Sequence, residues 1–114
     1  MNSSLVNKVT LIGNIGQAPV FKAITNGHVL NFSIATNESY GKGENRKTET
    51  NWFNCVAWNG LAESMNKFLQ SGTKVLIEGK LKNDNYEKEG GEKVYSTQIE
   101  VTGFYLIDPK NKED

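Results

Sequence analysis

Apolar and polar positions alternate with a period of two over most of this chain, and with a helical period over one short stretch. Val6 to Ile15 reads as a strand, closed by Gly13-Asn14-Ile15-Gly16. Pro19 to Ile24 continues it as a hairpin arm that reverses at Thr25-Asn26-Gly27, Asn-Gly being a strong hairpin signal. Val29 to Thr36 sets Leu30, Phe32 and Ile34 against Asn31, Ser33 and Ala35, the pattern of a half-buried strand. Residues 38–50 are polar, hold Gly41 and Gly43, and predict a long mobile loop. Asn51 to Trp58 is a third strand.

The period then changes. Leu61, Ala62, Met65, Phe68 and Leu69 recur at spacings of three and four and predict one helix over 61–70, with Gly72 placed to end it. Lys74 to Lys82 returns to strand, with Val75, Ile77 and Leu81 inward and its lysines outward. Residues 83–93, with Gly90-Gly91, form a projecting hairpin tip, and Val94 to Ile107 is a fifth strand. One helix between the third and fourth of five strands is the layout of the OB-fold, a five-stranded Greek-key barrel in the all-β class. Other small α+β folds share that element order. The expected organisation is one barrel domain over residues 1–108 and a short extension over 109–114.

Composition narrows the possible roles. The chain has 114 residues, a single-domain length, and its 13 basic and 13 acidic residues cancel. The distribution is uneven. Residues 1–37 carry Lys8 and Lys22 and no acid, and residues 74–82 carry Lys74, Lys80 and Lys82 against Glu78. Everything from residue 83 onward is net acidic. A local basic face can therefore coexist with overall neutrality, although ordinary solvated surface charge gives the same counts. No run is long and apolar enough to span a bilayer, and Met1-Asn2-Ser3-Ser4 lacks the basic-then-apolar order of a secretion signal. The lone Cys55 cannot form an internal disulfide, which fits a reducing cytoplasm.

No catalytic constellation stands out. His28 directly follows the Asn26-Gly27 turn and reads as a solvated loop residue. Cys55 shares the apolar parity of Phe53 and Ala57, so it reads as a core thiol. One Cys and one His give no metal-site spacing. The glycine pairs at 13/16 and 41/43 match no phosphate-binding motif, so neither cofactor nor metal is expected. The aromatics are more informative. Period two puts Trp52, Asn54, Val56 and Trp58 on one face of their strand, opposite the presumed core. Outward parity on the next strand gives Lys74, Glu78, Lys80 and Lys82 and extrapolates to Tyr86; Tyr40 begins the long loop. Aromatic faces flanked by lysines suit the stacked bases and phosphates of a single nucleic-acid strand. The same tryptophans would equally fill a subunit interface or cover the helix, and parity leaves both readings open.

Five segments in order carry a family resemblance. They are Asn7 to Gln17, Asn31 to Ser39, Thr50-Asn51-Trp52, Gly60-Leu61-Ala62-Glu63, and Gly72 to Gly79. Together, from about Val6 to Ile107, they resemble bacterial-type single-stranded DNA-binding proteins. The resemblance implies an OB-fold subunit, usually in homotetramers, that coats single-stranded DNA in replication, recombination and repair. No enzymatic activity or cofactor is implied, and the setting would be cytoplasmic, on the nucleoid. The family's stacking aromatics fall on Tyr40, Trp52, Trp58 and Tyr86, and its phosphate-contacting positions on Lys8, Lys22, Lys74, Lys80 and Lys82. Tyr40 and Tyr86 stand where members often carry tryptophan, and Phe53 where a histidine near the subunit contacts is frequent. Members usually continue into a Gly/Pro/Gln-rich linker with an acidic tip that recruits repair and replication enzymes; this sequence shows none up to Asp114, so recruitment through such a tip is not to be assumed, while replication and repair proteins stay open as partners. An accessory OB-fold protein bridging DNA and replication partners is the alternative, and RNA or oligosaccharide binding by the same barrel is a third, since fold does not fix ligand.

Overall fold

The computed structural model describes residues 6–108. The strands in chain order are β1 (Val9–Ile15), β2 (Val20–Ile24), β3 (Gly27–Tyr40) and β4 (Lys47–Trp58). Helix α1 (Asn59–Phe68) follows, then β5 (Lys74–Asn83), β6 (Tyr86–Glu87), β7 (Lys93–Val94) and β8 (Thr97–Asp108). The extension at 109–114 and the amino-terminal Met1-Asn2-Ser3-Ser4 lie outside the described residues.

Five strands close into a ring. β1 pairs with β5 from Val9↔Gly79 to Asn14↔Lys74, then bends onto β3 at Asn14↔Ala35 and Ile15↔Ile34. β3 pairs with β4, β5 pairs with β8, and a short parallel contact at Cys55↔Ile99 and Val56↔Glu100 joins β4 to β8. This ring is the expected Greek-key OB barrel, with α1 between its third and fourth strands. β2 stands outside the ring, paired with β3 from Val20↔Asn31 to Ile24↔Gly27.

Alternation fills the inside. Leu30, Phe32 and Ile34 from β3, Cys55 and Ala57 from β4, Val75 and Ile77 from β5, and Ile99 and Val101 from β8 make one apolar cluster. Ala62, Met65 and Leu69 of the helical segment plug one end of it. The chain enters α1 through Asn59 at φ 53°, a left-handed value asparagine tolerates better than most residues. Asn59 also accepts the His28 backbone N–H through Oδ1 at 3.2 Å. The helix leaves through Gly72, at φ 88°, whose N–H bonds to the Ile15 carbonyl at 2.9 Å and so ties the helix exit to the end of β1.

Several sequence expectations need correction. Residues 38–50 are not a loop. The β3–β4 ladder runs without a break from Val29↔Trp58 to Tyr40↔Lys47, and a 3₁₀ turn at Gly43–Asn45 reverses the chain. Both faces of this arm stand clear of the barrel, so no apolar alternation marks it. Polar pairs support it instead, Thr50 Oγ1 donating to Asn37 Oδ1 at 2.6 Å. His28 lies within β3 rather than in a loop. Its ring stacks on Phe21, centroids 5.0 Å apart, and its Nδ1 is 3.0 Å from Glu63 Oε1 on α1. Leu81 and Phe68 are exposed rather than inward, because β5 beyond Gly79 and the last helical turn project past the barrel. Val94 belongs to the small β6–β7 hairpin, and β8 begins only at Thr97.

Closure makes one glycine critical. At Gly13, where β1 crosses from β5 to β3, a Cβ would overlap the Ala35 carbonyl oxygen. At Gly103 in β8 a Cβ would meet nothing. Gly13→Ala should therefore lower stability by about 3 kcal/mol, the upper range for overpacking. That corresponds to a fall in Tm of more than about 10 °C for a domain this size. Gly103→Ala should hold or slightly raise Tm. Equal melting curves for the two variants would show that closure does not depend on this crossing.

Candidate nucleic-acid interface

The barrel that turns one parity inward turns the other outward. On β4 that outward set is Trp52, Asn54, Val56 and Trp58. Trp52 is 61% exposed and Trp58 42%, so neither covers the helix or fills the core. Val56, expected beside them on the open face, is buried between its neighbours Asn31 and Glu100. The two indoles therefore flank a recessed centre, with Asn31, Ser33, Asn54, Gln17 and Gln98 lining the groove.

Pairing across the sheet assigns a lysine to each tryptophan. Trp52 is opposite Ala35, Ala35 opposite Asn14, and Asn14 opposite Lys74. Trp58 is opposite Val29, and Val29 opposite Lys22. These five strands thus place Lys74 and Lys22 on the same outward rows as the indoles. Gly16 lets Trp52 lie down. A Cβ there would come within 2.6 Å of the indole Cζ3, so the ring packs directly over the backbone after β1.

Lys8, Lys80 and Lys82 form a separate group. Asn7 joins β1 to β5 through its carboxamide, donating to the Leu81 carbonyl and accepting the Leu81 N–H, each at 2.9 Å. Lys8 and Lys80 consequently line one hollow with Glu78 and Thr102. Lys80 and Lys82 both face Glu100 of β8, at 4.0 Å and 3.6 Å. Nothing in local sequence links Lys80 to Glu100; the β5–β8 register pairs them.

Tyr40 sits near the tip of one hairpin and Tyr86 at the base of another. Tyr40 pairs with Lys47 at the end of the β3–β4 arm. It lies an odd number of residues from Ala35, and so on the opposite face of that ribbon from Trp52. Tyr86 is not a continuation of β5: it opens β6, opposite Val94. Beside it, Tyr95 is 73% exposed and lines the same small hollow. Sequence reasoning missed Tyr95, since the alternation stops at the hairpin. Tyr105 was also missed; it stands in an outward apolar row, Ile12–Leu76–Tyr105, across β1, β5 and β8.

Among the described residues no group of three or more His, Cys, Asp or Glu side chains could hold a metal. Among the same residues no helix is long and apolar enough to cross a membrane. Burial pushes the Cys55 thiol from its ordinary 9.0 up to about 12, because the interior disfavours the thiolate. Its stabilising share is whole below pH 9 and is lost as pH rises toward 12.

A small Greek-key barrel of five strands with one helix between the third and fourth is the OB-fold, a class that binds oligonucleotides and oligosaccharides. The description "Single-strand binding protein family" matches residues 6–107, and the chain belongs to that family. It is 38% identical over 109 residues to a single-stranded DNA-binding protein of Bacteroides thetaiotaomicron, covering 92% of this chain and 68% of that protein. It is 30% identical to single-stranded DNA-binding protein A of Bacillus subtilis, covering 94% of this chain and 62% of that one. In structure it resembles the Plasmodium falciparum SSB in complex with ssDNA, with a TM-score of 0.82 at 27% identity, covering 95% of this chain and 100% of that one. It also resembles a small single-stranded DNA-binding protein from Streptomyces coelicolor, with a TM-score of 0.73 at 27% identity, covering 88% of this chain and 93% of that one.

Cys55 offers a direct check on the core. In native protein at pH 8 it should not react measurably with a thiol reagent such as a disulfide dye. One thiol per chain should appear once denaturant is added. Rapid labelling of the native protein would mean that β4 is not packed as described.

Proposed function

We propose that this protein binds single-stranded DNA without base specificity, laying the strand across the outward face of β4 and its neighbours. It coats and protects exposed strands during replication, recombination and repair, performs no catalysis, and works in the cytoplasm on the nucleoid. The observation that carries this reading is the pair of exposed indoles on one strand, each with a lysine on its own cross-strand row. Bases stack on Trp52 and Trp58, and Lys74 and Lys22 follow the phosphates between them. Tyr86, at the base of the β6–β7 hairpin, extends the path beyond the barrel, and the strand reaches Tyr40 by wrapping over the β3–β4 arm onto its other face. Lys8, Lys80 and Lys82 contact phosphate along the far edge.

Stacking in single-strand binders as a class is worth about 1–3 kcal/mol per base, and phosphate contacts make the affinity fall with salt. Trp52→Ala and Trp58→Ala should each weaken binding of a labelled oligo(dT) by roughly 5- to 150-fold, the same energies expressed as affinities. The melting temperature should hardly move, because neither ring is in the core. Wild-type affinity in both variants would remove the stacking reading.

The chain also associates with copies of itself, in line with a homotetramer. Two features support this. The β1 edge from Val9 to Gly13 that faces away from β5 has no partner strand among the described residues, and such an edge invites pairing. The outward row Ile12–Leu76–Tyr105 beside it is apolar, with Ile12 and Tyr105 exposed. A two-fold contact would cover both features at once. Light scattering should give a tetramer, and Tyr105→Lys should reduce the mass while leaving the β-sheet circular dichroism intact. A wild-type monomer at micromolar concentration would contradict the assembly.

A further inference from the structure

The five lysines are not equivalent, and Glu100 separates them. Glu100 stands on the outward face of β8, opposite Lys80 on β5 and opposite Val56 on β4. It therefore lies between the strand bearing the tryptophans and the strand bearing Lys80 and Lys82. Its Oε2 is 3.6 Å from Lys82 Nζ and 4.0 Å from Lys80 Nζ. That oxygen is shut from solvent and carries no hydrogen bond, while both lysine side chains are about half exposed. One sheltered carboxylate thus faces two cations on the solvent side of the barrel. No salt bridge to Lys8, Lys22 or Lys74 is present among the described residues.

We propose that Glu100 is a built-in competitor for DNA phosphate at Lys80 and Lys82. This rests on the reading above that these lysines meet the strand. In the free protein the carboxylate attracts both ammonium groups. An arriving phosphate must draw them away from it and must also approach a fixed negative charge that stays in place. The carboxylate stays close to both lysines, because the β5–β8 ladder fixes its backbone opposite Lys80. The edge formed by β5 and β8 is therefore a weak, readily released part of the path, whereas Trp52 with Lys74 and Trp58 with Lys22 are the firm part.

The test is a titration of labelled oligo(dT) at several salt concentrations, using wild type, Glu100→Gln, Lys80→Ala/Lys82→Ala and the triple variant. Glu63→Gln serves as a charge control. It removes the same unit of charge on α1, away from β5 and β8, where Glu63 faces His28 and, among the described residues, makes no salt bridge to a lysine. Glutamine is isosteric with glutamate, and melting curves verify that each variant is folded.

Glu100→Gln should tighten binding about three- to ten-fold at 0.1 M salt, roughly the range of one or two exposed ion pairs. It should also steepen the log–log salt dependence by ~0.7 for each lysine freed to neutralise a phosphate. The loss on removing both lysines should be larger in the Glu100→Gln background than in wild type, and Glu63→Gln should change affinity less than two-fold. If the lysine pair matters equally in both backgrounds and Glu100→Gln is neutral, the lysines bind phosphate without competition and only this inference fails. If Glu100→Gln weakens binding, the carboxylate orders the lysines instead, and the inference is again overturned. If removing the lysines has no effect in either background, the strand does not pass over them, and that part of the proposed path fails with it.

Discussion

Closing β1 onto β3 is the constraint on which the rest of this molecule depends. Once the ring is shut, each strand has an inside and an outside, and strict alternation sorts every residue into one or the other. The inside takes Leu30, Ile34, Val75 and Ile77, all fully buried. The outside inherits Trp52 and Trp58 with no freedom to turn them inward, since a shift of one residue would bury the indoles and expose Phe53, Cys55 and Ala57. Closure itself depends on Gly13, which admits the Ala35 carbonyl where a side chain would not fit. A similar close approach occurs at Gly79, where a Cβ would overlap the Glu100 carbonyl oxygen at the β5–β8 irregularity.

The rows across this sheet tie the fold to the function. Lysines distant in sequence fall on the same cross-strand rows as particular aromatics because the register puts them there. Lys74 reaches the Trp52 row only through Asn14 and Ala35, and Lys22 reaches the Trp58 row through Val29. The chain is neutral overall, yet these rows carry a lysine at one end and an indole at the other. Of the acids from residue 83 onward, Glu87, Glu89 and Glu92 fall on the β6–β7 hairpin. Glu100 sits within the basic edge, between Lys80 and Lys82 of β5 and the tryptophan-bearing β4.

Much of this was legible in the sequence, and the reasons are physical. The barrel strands show period two because one face is buried, and α1 shows its helical period because Ala62, Met65 and Leu69 plug the barrel. The parity of β4 was enough to put the tryptophans outside, although it could not say whether bases or a partner subunit would cover them. The β3–β4 arm was not legible, since neither of its faces is buried and its ladder rests on hydrogen bonds between polar side chains. Leu81 and Phe68 misled because periodicity does not show where an element runs past the core it serves. His28 was missed as a strand residue, because its contact with Glu63 and its stack on Phe21 join three elements. Tyr95 and the Glu100 pairs were missed for a related reason: both depend on long-range register rather than on neighbouring residues.

The central claim is that a flexible strand stacks on indoles outside a rigid barrel, which a duplex with its bases already stacked cannot do. The most direct measurement is intrinsic tryptophan fluorescence during titration with oligo(dT), compared with a duplex of the same length and at the same salt. The account predicts strong quenching by the single strand at low concentration and little or none by the duplex. Equal quenching by both, or no quenching while the strand is bound, would contradict it.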